Sequence, residues 1–78
     1  MNKGNAMDDV REKLNILLDY WIEHNGEHEK EFRDWADKVV SLSTDVTRKL
    51  QAAATLTAAA SDELMKAKQA LSKSKEKG

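Results

Sequence analysis

Leu17-Leu18-Asp19-Tyr20-Trp21-Ile22-Glu23-His24-Asn25-Gly26-Glu27-His28-Glu29-Lys30-Glu31-Phe32-Arg33-Asp34-Trp35-Ala36 is the stretch on which the fold turns. At its centre, Asn25-Gly26 is the strongest breaker signal in the chain, because both residues tolerate the left-handed conformation that ends helices. If the chain breaks there, two short helices meet at a tight corner. If it does not, one long helix runs through. The same stretch holds both histidines, both tryptophans, the only tyrosine and the only phenylalanine. The rest is largely Leu, Ala, Lys, Ser and Thr in a helical pattern.

Upstream of the breaker, Val10, Leu14, Leu17, Leu18, Trp21 and Ile22 form one wide helical stripe. Asp9 to Glu12 has the spacing of a capping box, with acids where a helix N-terminus is positive. Downstream, Glu27 to Glu31 supply acids for a new first turn, and Phe32, Trp35, Ala36, Val39 and Leu42 would be buried. A second, weaker break falls at Ser41-Leu42-Ser43-Thr44-Asp45, where Ser43 or Thr44 can cap a helix with Asp45 in its first turn. Beyond it Val46, Leu50, Ala53, Thr57, Ala60, Leu64, Ala67 and Leu71 keep a 4-3-4-3 spacing.

These signals predict an all-α protein, a helical hairpin or a three-helix bundle. Residues 1–7 are expected to be disordered. Residues 8–73 form a single helical domain with helices at about 8–24, 27–42 and 45–73, and residues 74–78 form a disordered tail. On this reading Trp21 and Trp35 are core residues that meet across a corner at Asn25-Gly26. A competing reading follows the seam Leu18, Trp21, Asn25, His28, Phe32, Trp35, Val39, Leu42, Val46 and Leu50, which crosses both breaks almost unshifted. It makes the chain a very long helix in an intermolecular coiled coil. An interior glycine costs only about 1 kcal/mol, so Gly26 does not forbid it.

Bulk properties narrow the class. The 78 residues allow one domain at most. The large apolar side chains make a thin core for one copy, so self-association into a larger helical bundle, as a homo-oligomer, is expected. The absence of cysteine excludes disulfides and thiolate sites. No apolar run approaches the roughly 20 residues of a membrane span. Residues 1–40 carry 10 acids and 6 bases, net −4, and residues 41–78 carry 4 acids and 7 bases, net +3. Neither half has the basic density that nucleic-acid binding requires. Met1–Met7 is polar, without the apolar core of a signal peptide, so a cytoplasmic location is expected.

His24 and His28 carry the chemistry. On an uninterrupted helix, residues four apart share a face and two imidazoles can share a metal. Glu31 lies about one turn further on and Glu27 is adjacent, which makes His24, His28, Glu27 and Glu31 the candidate ligands. Two imidazoles with carboxylates suit zinc, nickel or iron. The bland alternative is a pair of hydrogen-bonded or solvent-facing histidines. No nucleophile or oxyanion hole accompanies them, so an enzyme is not expected. The functional expectation is a small helical binding or interaction protein, with a divalent transition metal as candidate ligand and a protein as candidate partner. The alternative is an oligomeric adaptor with no ligand.

The stretch Leu17–Ala36 resembles a motif of short bacterial and archaeal helical proteins of unknown function, read roughly as L-L-x-H-W-I-E-H-N-x-E-H-x-x-E-F-x-x-W-A. Some of those proteins are loosely labelled as metal-transport associated. The resemblance covers about twenty of the 78 residues. It implies three histidines, of which His24 and His28 match; Tyr20 stands where the first would be, so a three-histidine site does not carry over.

Overall fold

The computed structural model describes the backbone of residues 3–77 and the side chains of residues 7–74. Two long helices, α1 (Lys3–Lys38) and α2 (Thr44–Lys77), pack along their lengths as an antiparallel hairpin. The expected break at Asn25-Gly26 does not form, and the one at Ser41–Asp45 does. The three helices expected at about 8–24, 27–42 and 45–73 are therefore two. Helix also occupies Lys3–Met7 and Ser74–Lys77, within the two terminal segments expected to be disordered.

The reason α1 survives its glycine is energetic. No glycine among the described residues has a positive φ, so Gly26 adopts ordinary helical geometry at a cost of about 1 kcal/mol relative to alanine. Breaking the helix there would interrupt the packed seam on both sides. Val39 is the last seam residue on the α1 side, so a break just beyond it leaves the packed seam intact. Val39 N–H bonds to the Trp35 carbonyl, and Leu42 and Ser43 N–H both bond to the Val39 carbonyl. The Ser43 hydroxyl then accepts from the Val46 N–H at 3.2 Å, which caps α2 with Asp45 in its first turn.

The two helices meet along a seven-residue repeat. With the seam positions written a and d, α1 contributes Ile22, Glu29 and Ala36 at a and Leu18, Asn25, Phe32 and Val39 at d. Helix α2 contributes Thr47, Ala54, Ser61 and Lys68 at a and Leu50, Thr57, Leu64 and Leu71 at d; all of these are buried or half-buried. Ala36 and Ala54 are fully buried, and Leu18, Thr47 and Ser61 nearly so. Small residues at the seam let the backbones approach closely. The Thr47 hydroxyl uses that approach to donate to the Ala36 carbonyl at 3.0 Å, across the hairpin and within the last turn of α1. At the open end the Arg11 guanidinium reaches the Ser74 hydroxyl at 2.7 Å. Between these points Lys68 pairs with Asp19 at 2.7 Å, one contact between the acidic and the basic half of the chain.

This seam differs from the expected ones by a rotation. On α2 the d residues are as anticipated, but the expected partners Val46, Ala53, Ala60 and Ala67 lie at g, one residue before the a positions that are used. On α1, Trp21, His28 and Trp35 were expected in the seam and also lie at g. Trp21 is 38% exposed and Trp35 55% exposed, so neither is core. Both sit on one continuous helix and cannot face each other across a corner at Asn25-Gly26. In an antiparallel pair the g rows of both helices flank one side of the seam and the e rows the other. The e residues Asp19 and Met65 line a shallow groove with the a residues Ile22 and Lys68, which places the two g rows together on the opposite side. No described helix is long and apolar enough to cross a membrane.

Candidate metal centre

Because α1 runs unbroken through Asn25-Gly26, residues four apart stack along it. Tyr20, His24, His28 and Phe32 form a ladder of rings. Tyr20 stacks on His24 with centroids 5.4 Å apart, and His28 stacks on Phe32 at 5.9 Å. Between them His24 and His28 are 4.4 Å apart and nearly perpendicular, at 85°. The ladder holds both imidazoles between an aromatic ring above and another below, which restricts their rotamers. His24 is exposed and His28 half-buried.

The edge-to-face arrangement turns the two Nε2 atoms toward one another, 3.0 Å apart. Without a cation, one Nε2 must donate and the other accept. The Glu31 carboxylate lies 3.5 Å from His28 Nδ1. It lies on the Nδ1 side of the ring, away from Nε2. The pair is therefore organised as two inward nitrogens with a carboxylate behind one of them.

The four expected ligands, His24, His28, Glu27 and Glu31, do not converge on one point. Glu31 sits on the far side of the His28 ring from Nε2, where it can orient the imidazole but does not share its ligand position. Glu27 lies on the outer flank of α1, exposed to solvent. Among the described residues no three His, Cys, Asp or Glu side chains converge in a group able to hold a metal ion. One chain thus offers two nitrogen donors and one supporting carboxylate. The sequence reading missed Phe32 as a ring that packs on His28; its spacing of four from His28 was the available signal. Neighbouring acids and bases on the outer faces pair locally, Lys30 with Asp34 and Arg33 with Glu29, each at 3.2 Å. They are solvated i,i+4 contacts that leave the histidines untouched.

The family model described as a domain of unknown function (DUF8180) matches residues 14–71. That span contains the ring ladder and most of both helices. An uncharacterized protein from Archaeoglobus fulgidus is 42% identical over 43 residues, which cover 55% of this chain and 69% of the relative. No solved structure matches the chain. The resemblance noted above, to short proteins of unknown function, is met at that level.

Proposed function

We propose that this chain, which belongs to the family defined by the domain of unknown function DUF8180, is a small binding protein whose recognition element is the His24–His28 pair and whose ligand is a divalent transition metal. The observation that carries this reading is the 3.0 Å separation of the two Nε2 atoms. Two imidazole nitrogens bound at about 2.0–2.1 Å to one ion stand roughly 2.9 Å apart when cis in an octahedron and roughly 3.4 Å apart in a tetrahedron. The free pair already stands within that range. Binding replaces the hydrogen bond between the rings with two metal–nitrogen bonds and needs little rearrangement of the ladder. Glu31, 3.5 Å from His28 Nδ1, stands where a carboxylate behind a metal-bound histidine stands. Imidazole donors without thiolates favour zinc, nickel or iron.

The role proposed for the pair is binding. Calorimetric titration with zinc sulfate and nickel chloride tests the reading. The double variant His24→Ala/His28→Ala is expected to bind at least tenfold more weakly than the native chain, with unchanged helix content by circular dichroism. Equal heats from the two proteins would sink the proposal.

A second reading, an adaptor hairpin with no ligand, is favoured by a different observation. Leu14, Trp21, Trp35 and Val46 are large apolar residues left at least 36% exposed on one side of the hairpin. That reading expects association with no change on adding metal.

A further inference from the structure

The g rows of α1 and α2 form a surface unlike the rest of the molecule. From Leu14 to Trp35 on α1, and from Val46 to Ala67 on α2, these rows carry no Asp, Glu, Lys or Arg, in a chain that is 35% charged. His28 is their sole polar member. The row repeats every seven residues, in step with the seam, as a helix facing a second partner does.

We infer that two copies of this chain pair through their g faces into a four-helix bundle, and that His24 and His28 of both copies together complete one four-imidazole metal site. This inference rests on the metal reading of the His24–His28 pair.

Three observations identify a second copy as the occupant. The first is size. The hairpin measures 61 × 18 × 12 Å along its principal axes, so one broad side is of the order of the roughly 800 Å2 per partner of a standard interface. The second is an unmet need. The buried hydrophobic residues within one hairpin are Leu18, Ala36 and Ala54, while Trp21 and Trp35 remain outside the seam. Covering the g face supplies the burial that the hairpin alone lacks.

The third is the symmetry that a pair of copies would have. If the two hairpins point the same way, the two-fold axis runs along the bundle and every residue lies level with its mate, with the g side chains of both α1 helices directed at the bundle centre. If they point in opposite directions, the axis crosses the middle of the paired region. That region of α1 extends from Arg11, tied to Ser74, to Val39 at the turn. Its middle is Asn25, between the two histidines. In the first arrangement His28 lies level with His28 of the second copy, and in the second the two His24–His28 pairs straddle the axis together. Each chain supplies two of the four nitrogens that a tetrahedral ion takes, which a single chain cannot do, since its described residues contain no third donor in place.

Sedimentation equilibrium and calorimetric titration of the full chain with zinc sulfate test this together. The expected result is a dimer that takes one zinc per two chains, with the dimer dissociation constant lowered at least tenfold by the metal. Trp35→Glu, at an exposed g position, is expected to give a helical monomer that binds zinc at least tenfold more weakly. One zinc per chain, on a monomer or a dimer, would overturn the shared site and leave the His24–His28 clamp standing. A protein that binds zinc no better than His24→Ala/His28→Ala, whatever its oligomeric state, would overturn both.

Discussion

Gly26 lies inside α1 with nothing within 4 Å of where a Cβ would stand. Gly26→Ala therefore adds no clash and removes the entropy penalty of a helical glycine. It is expected to stabilise the protein by about 0.5–1 kcal/mol, read as a higher urea midpoint. A left-handed turn at this residue would give the opposite sign. The same geometry governs the histidines. Their Nε2 atoms meet because the helix continues between them, so Gly26→Pro, which removes an N–H and kinks the helix at a cost of about 3 kcal/mol or more, is expected to abolish metal binding along with the ladder. At this scale the sequence singled out two histidines four positions apart. It left open whether they shared a helix face, because Asn25-Gly26 is compatible locally with both a helix and a helix end. Glu31 was readable as a neighbour of His28, but its place behind the ring, at Nδ1, depends on side-chain rotamers that spacing does not fix.

Among the elements, α2 began where its sequence indicates, with Ser43 accepting from the Val46 N–H. The cap was legible because it is a local interaction over three residues. The end of α1 was less so, since its closing interaction comes from the other helix. Thr47 donates to the buried Ala36 carbonyl. Thr47→Val keeps the shape and leaves that carbonyl without its donor, for an expected loss of about 1–3 kcal/mol in denaturant unfolding. Ala54 lies in the seam and is fully buried. Ala54→Leu is expected to cost about 1–3 kcal/mol by forcing the helices apart, whereas the same change at Ala60, exposed on the g row, leaves monomer stability nearly unchanged. A seam at Val46, Ala53 and Ala60 would reverse that order. Half of the α2 seam, Leu50, Thr57, Leu64 and Leu71, was readable from spacing. The other half was not, because Thr47, Ser61 and Lys68 are poorer in apolar surface than the g residues beside them.

For the whole molecule, the first half is acidic and the second basic, and Asp19–Lys68 joins them at 2.7 Å. Both groups are partly exposed, so Lys68→Ala is expected to cost no more than about 1 kcal/mol, with an effect that shrinks in salt. The helical class, the length of both helices away from the glycine, the turn near Ser41–Asp45 and the His-x-x-x-His spacing followed from the sequence by itself, since each depends on periodicity or on contacts within one turn of chain. Two things were decided only by tertiary structure. One is that α1 passes through Asn25-Gly26, because a helix packed along its whole length outweighs the roughly 1 kcal/mol cost of one glycine. The other is which of two overlapping seven-residue stripes becomes the seam. Apolar content alone favours the g rows with Trp21 and Trp35. The helices instead close on the smaller residues at a, where Ala36, Thr47 and Ala54 permit near approach, and the larger apolar side chains with His28 are left on the outer face.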